Sequence, residues 1–179
     1  GTNPATLTLP ALANSKSLAG NKALVVDTTI PVVDTGVGVT STDGDGTYGI
    51  GKQLTVTVKF DHVVAVTGSP QIEIELGTTD RQFVYSGGTG SNTLSFQYTL
   101  QSGDTSSDLN YKATDSLALN GGTIGLDGLA GGTNPATLTL PALENSKALA
   151  GNKNLVVDCT VPTVDTGVGV SSALANGKY

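Results

Sequence analysis

Residues 51–60 read GKQLTVTVKF and residues 71–76 read QIEIEL. Leu54, Val56, Val58 and Phe60 alternate with Thr55, Thr57 and Lys59, and Ile72, Ile74 and Leu76 alternate with Gln71, Glu73 and Glu75. A period of two sends one set to each face of an extended chain, so both stretches predict half-buried β-strands. Working outward, residues 82–85, 93–100, 116–119, 136–140 and 154–158 read the same way, with Leu94, Phe96 and Tyr98 on one face. Gly68-Ser69-Pro70, Gly87-Gly88-Thr89-Gly90, Gly103-Asp104 and Asn120-Gly121 break the pattern between them. No stretch has the span of a long amphipathic helix; residues 12–19, with Asn14 and Ser15 as candidate caps, offer one helical turn. The expected fold is all-β, an antiparallel Greek-key β-sandwich of about seven strands.

Composition narrows the function. The 179 residues carry 15 acidic and 9 basic side chains, a net charge of −6. A chain so poor in Lys and Arg lacks the counterion-releasing surface of a nucleic-acid binder, and the same deficit argues against an anionic membrane face. No run approaches the roughly 20 apolar residues of a membrane helix, so membrane insertion is not expected. One Cys excludes an internal disulfide framework, and one His leaves little for metal-hydrolase chemistry. His62 has no nucleophile elbow to serve, and Glu73 and Glu75 are explained as the solvent face of a strand. The chain is therefore read as non-enzymatic. Abundant Thr, Val and Gly with no Trp and no Met suggest a secreted protein, extracellular or at a cell surface.

The chain repeats itself. Residues 1–40, GTNPATLTLPALANSKSLAGNKALVVDTTIPVVDTGVGVT, return as residues 132–171, GTNPATLTLPALENSKALAGNKNLVVDCTVPTVDTGVGVS, an offset of 131. The copies differ only at Ala13/Glu144, Ser17/Ala148, Ala23/Asn154, Thr28/Cys159, Ile30/Val161, Val32/Thr163 and Thr40/Ser171. The chain is thus one period plus an overlap, and the second copy stops before the position where the first runs into GKQLTVTVKF. The expectation is a window on a longer repetitive polypeptide. Residues 1–28 would be the last strands of a preceding repeat, 29–160 one complete repeat, and 161–179 the start of a following one.

The succession QLTVTVKFDHVVAVTGSPQIEIELG, TLSFQYTLQSGDTSSDLNYKATDSLALNGGTI, ATLTLP and LVVDTTIPVVD resembles the Ig-like repeats of very large bacterial surface proteins. These include adhesins exported by type I secretion and a flagellar-system-associated repeat family. The resemblance spans the whole period. It implies an Ig-like or cadherin-like sandwich in tandem array, its junctions often stiffened by Ca²⁺. The period exceeds the roughly 100 residues of an Ig sandwich, leaving extra sequence around GLDGLAGGTNPATLTLPALANSKSLAGNK for contacts between repeats.

Calcium wants about six to eight oxygens, which Asp- and Gly-rich loops supply. Asp27 and Asp34 flank a proline where one unit would pass into the next, Asp43 and Asp45 lie in the following TDGDG loop, and Asp158 and Asp165 repeat the first pair. These six are the candidate metal ligands. The alternative is that they cap turns, as Asp often does in β-loops. Asp104 and Asp108 read as a polar hairpin. GTIGLDGLA, from Gly122, echoes a calcium-binding β-roll repeat, but one imperfect copy has no neighbour to share ligands with and carries no assignment.

The expected function is a structural extender repeat, calcium-rigidified at its junctions, whose partners are neighbouring repeats of the same or an identical chain. A rival is the subunit of a self-assembling extracellular filament or sheath whose overlap donates strands to a neighbour. A carbohydrate-binding module is a third reading, weakened by the absence of Trp.

Overall fold

The alternation around Val56 becomes the spine of the molecule. The structure, a computed structural model, describes residues 1, 3–5, 7–130 and 133–163. Its strands are β1 (Val39–Ser41), β2 (Gly46–Tyr48), β3 (Gln53–Thr67), β4 (Gln71–Ile74), β5 (Arg81–Gly87), β6 (Ser91–Thr99), β7 (Thr105–Ser106), β8 (Leu117–Ala118), β9 (Thr123–Leu126) and β10 (Leu155–Asp158). Two single helical turns, α1 (Leu18–Asn21) and α2 (Leu149–Asn152), fall at matching places in the two copies.

The larger sheet runs β1-β3-β6-β5-β4-β8, with β9 paired to the far half of β3; the smaller runs β2-β10-β7. β4, β5 and β6 neighbour one another in sequence order and β3, which precedes them, lies beyond β6, a Greek-key arrangement. The fold is an all-β sandwich whose pairings are antiparallel, save that β10 runs parallel to β2. β3 serves three partners: β1 at Val56–Val58, β6 from Gln53 to Lys59 and again at Val64 after a register shift, and β9 at Val64–Thr67.

The inward faces are those the alternation predicts. Leu54, Val56, Val58, Phe60, Ile72, Ile74, Phe83, Leu94 and Phe96 are fully buried from the larger sheet. Leu155 and Val157 close over them from the smaller one, with Leu109 and Tyr111 in the same cluster. Phe83 stacks on Tyr98 at 5.2 Å, which fixes the register of β5 against β6 beyond what burial alone supplies.

Two sequence expectations need correction, and one strand goes beyond them. The helical turn sits at Leu18–Asn21, after residues 12–19 rather than within them in full, because Ser17 is the N-cap. Its Oγ accepts the Gly20 N–H, while the Asn14 side chain closes a separate turn by accepting from Lys16 N–H. Residues 136–140 form no strand: the N–H groups of Ala136, Thr137 and Leu140 donate to Ile124, Pro31 and Thr114 in turn, so this stretch bridges different elements instead of following one. Finally, GTIGL contains β9, a strand too short and too glycine-rich to announce itself, held by the far half of β3. No helix among the described residues is long and apolar enough to cross a membrane.

Candidate functional site

Residues 133–159 of the second copy pack on the sandwich, whereas the matching stretch of the first, up to Thr28, leaves its large apolar side chains exposed. Leu140, Ala148, Leu149, Leu155, Val157 and Cys159 are each at most 2% exposed. Of their counterparts, Leu9, Leu18, Leu24 and Val26 are 86, 71, 68 and 87% exposed, while Ser17 is buried within its own turn. Residues 133–159 therefore act as a closing segment for the body that precedes them in the chain.

Hydrogen bonds hold the closing segment along its length. The N–H of Leu126 donates to Asn134 O, Tyr111 Oη donates to Pro141 O, and Asn110 Nδ2 donates to Leu143 O. Asn152 Nδ2 donates to both Val37 O and Val39 O, at 2.8 and 2.7 Å. Val39 N–H donates to Lys147 O, and the chain can come so close only because residue 38 is Gly: at its φ of +68° a Cβ would stand 2.3 Å from that same oxygen. β10 then completes the smaller sheet, and the Gly103 N–H donates to Cys159 O while the Cys159 N–H donates to Asp104 O.

Asp104 anchors this end. It is fully buried, and its carboxylate accepts from Arg81 Nε at 2.8 Å, Gln101 N–H at 2.8 Å and Tyr98 Oη at 3.1 Å. An ionised carboxylate is tolerated there because a cation and two further donors replace its water. Burial and the hydrogen bond to Asp104 push the Tyr98 hydroxyl up to about 12, and Asp104 also holds the Arg81 guanidinium above its ordinary value. Burial likewise raises the Cys159 thiol, a free cysteine in this fold.

At the opposite pole the incoming linker is clamped. Val33 bridges Phe60, Asp34 N–H donates to Lys59 O, and Val32 N–H donates to Asp61 Oδ1 at 2.9 Å. Asn134, at the start of the closing segment, donates from Nδ2 to Asp27 O at 3.0 Å and Thr29 O at 2.8 Å. One side chain thus ties the linker leaving the first copy to the segment that closes the body.

The carboxylates proposed as calcium ligands lie on separate local partners. Asp27 accepts the Thr29 N–H, which holds its carboxyl below its ordinary value. Asp34 accepts from Gly36 and Val37 N–H. Asp43 pairs with Lys52 at 2.7 Å and accepts the Thr55 N–H, and Asp45 accepts the Asn154 N–H at 3.0 Å. Asp158 accepts from the Thr160 hydroxyl and N–H, which lower its pKa. Asp165 lies outside the described residues. Asp43 and Asp45 share one loop, but among the described residues no group of three or more His, Cys, Asp or Glu side chains converges as a metal centre. In this arrangement the described carboxylates cap turns and fasten β10.

A cleft of about 650 Å³ opens beside β7 and β10, lined by Glu75, Thr105, Asp108, Asn110 and Asp158. Sequence reasoning missed Asn134, Asn152 and the Arg81–Asp104 pair. The one signal available was that Arg81 is the only Arg in the chain. Comparison with protein-family models, with curated proteins and with solved structures finds no match to this chain.

Proposed function

We propose that the protein is a structural, non-catalytic extender unit of a large secreted bacterial surface protein, built as a tandem array of which residues 29–160 form one unit. In this reading residues 1–28 are the closing segment of the unit before, and residues from 161 onward begin the unit after.

The observation that carries the reading is the separation of entry and exit. The chain enters the body at Val33 beside Phe60 and leaves it at Cys159 beside Gly103, past the Lys52–Leu100 end of the sheet. Units joined this way follow one another end to end. The Asn134 clamp limits swivel at the entry, which is what an extender needs to hold its tip away from its base. The resemblance to Ig-like repeats of bacterial surface proteins supports the same conclusion.

The test is small-angle scattering on polypeptides carrying one, two and three periods. The expected maximum dimension rises by a constant increment per period; a dimension that grows only as the cube root of mass would sink the extender reading. Calcium at the junctions is a separable part of it, with Asp165 and the following unit as the ligands still to be placed. At about 1 mM Ca²⁺ and a dissociation constant near 10⁻⁴ M, one site adds about 1.4 kcal/mol. A melting temperature identical in Ca²⁺ and in EDTA removes calcium and leaves the hydrogen-bonded clamp as the stiffening element.

A further inference from the structure

The stretch 133–159 is docked and its counterpart before Thr29 is exposed, and residues 11–22 of the exposed copy already have the turns of residues 142–153 in the docked one. In both, the N–H of the second-turn residue closes the same bond: Asn14 to Ala11 O and Asn145 to Ala142 O, Ser17 to Asn14 O and Ala148 to Asn145 O, Lys22 to Leu18 O and Lys153 to Leu149 O. Gly20 and Gly151 sit equally close to the turn, where a Cβ would meet Asn14 O at 2.2 Å and Asn145 O at 2.3 Å. The turn conformation is therefore local, set by the segment's own sequence, and its share of the ordering cost of docking is already met, while Leu24–Asp27 become a strand only on docking. What differs is the partner of the last side chain: Asn152 Nδ2 reaches across to Val37 O and Val39 O, whereas Asn21 Nδ2 turns back to Ser17 O.

The four differences between residues 1–28 and 132–159 are all compatible with docking. Ala13 and Ala23 replace Glu144 and Asn154, both exposed. Ser17 replaces the buried Ala148, but its hydroxyl already donates within its own turn, to Leu12 O or Asn14 O, and so brings no orphaned polar group. Thr28 replaces Cys159, a side chain of similar size beside Asp104.

Docking onto the segment's own body is excluded by reach. Thr28 would have to stand where Cys159 stands, beyond the Lys52 end of β3, while Val33 remains paired with Phe60. At roughly 3.3 Å per residue the stretch from Lys52 to Phe60 covers about 26 Å. The five peptide steps from Thr28 to Val33 span at most about 18 Å.

We propose that residues 1–28 are a donor segment for a second copy of this chain, entering its groove in the place that residues 133–159 hold in their own body. Leu9, Leu18, Leu24 and Val26 would fill the pockets of Leu140, Leu149, Leu155 and Val157. In a closed chain the resident segment wins through its tether, since a covalently linked occupant has an effective concentration in the millimolar range. Exchange follows when that resident is displaced. The proposal rests on reading residues 1–28 as a closing segment, but it does not need the extender role, so scattering and exchange can fail separately.

The test uses full-length chains. An acceptor carries Leu149→Asp and Leu155→Asp to empty its groove, with Leu18→Asp and Leu24→Asp to remove its own donor. Mixed with the unaltered chain, it is expected to form a one-to-one complex in native mass spectrometry, with amide protection restored across β3 and β6. The same mixture with Leu18→Asp and Leu24→Asp in the donor is expected to bind at least tenfold more weakly. A folded acceptor that ignores the unaltered chain overturns the proposal, and so does an unfolded acceptor that the unaltered chain does not rescue. In a third chain, Leu149→Asp and Leu155→Asp alone, the intact donor is expected to build assemblies whose mass rises with concentration. A folded monomer at every concentration would mean docking within one chain and would overturn it as well.

Discussion

Leu18 and Leu149 occupy the same tetrapeptide, Leu-Ala-Gly-Asn, in the same single helical turn, and Leu18 is 71% exposed while Leu149 is 0% exposed. Identical local structure thus coexists with opposite burial, which separates what the segment contributes from what the body contributes. Leu149→Ala is expected to cost about 2–5 kcal/mol, because a filled pocket is emptied. Leu18→Ala in dilute solution is expected to change stability by less than about 0.5 kcal/mol. Urea unfolding of the two variants decides it: equal losses would mean that the first copy is packed too.

Asp104 offers a second test, at the exit pole. Asp104→Asn keeps the shape but weakens a charge-assisted bond to Arg81, and the expected cost is about 1.5–3 kcal/mol. Arg81→Ala is expected to be destabilising also, since it leaves the carboxylate buried without its cation. If the double variant loses no more than the worse single one, the two act as a pair; simple addition would refute the coupling.

Stability should fall at both ends of the pH scale, for opposite reasons. Tyr98 and Tyr111 are raised to about 12 in the folded chain, chiefly by burial, against an ordinary 10.0. Their contribution is complete below the unfolded value and is lost as pH rises from there through about 12, with a slope of up to about 1.4 kcal/mol per pH unit for each tyrosine. Asp27 and Asp158 are lowered from 3.8 by hydrogen bonds from Thr29 and Thr160. Asp61 is lowered as well, with burial opposing the Val32 N–H and His62 that bring it down. These carboxylates contribute above their unfolded value and lose that contribution as pH falls through the lower, folded one. A melting temperature flat from neutral to about pH 8, falling as the Cys159 thiol of the unfolded chain ionises and more steeply once the tyrosines follow, is the expected profile; tyrosine absorbance titrating in full near 10 would contradict it.

Asn134→Ala removes both donors that hold the linker, at about 0.5–1.5 kcal/mol per hydrogen bond. The expected signature is local: faster amide exchange and proteolysis between Asp27 and Pro31, with β3 and β6 unchanged. Loss of protection throughout the sandwich would show that Asn134 supports the body itself.

How much of this was readable in advance depends on the range of the interaction. The inward faces of β3, β4 and β6 follow from alternation, because one side of each strand meets the core wherever the strand is placed. β9 did not reveal itself, since its identity comes from the bent half of β3, far away in sequence. Residues 136–140 alternate like a strand and yet bridge several partners, which alternation cannot distinguish. Among the acidic residues, the sequence shows that Asp43 and Asp45 share a loop, but not that Lys52 and the Asn154 N–H already occupy them. The Asp104 hub reads as a hairpin until Arg81, Tyr98 and Gln101 are brought around it by the sheet.

The parallel pairing of β2 with β10 has a mechanical consequence. Chain tension applied between the entry at Val33 and the exit at Cys159 pulls β2 back toward one pole and β10 forward toward the other, along the length of both strands. Their ladder is then loaded in shear, all bonds sharing the force at once, rather than peeled open one bond at a time. A unit pulled by its ends should therefore yield abruptly and at high force, and the closing segment is the part that carries the load.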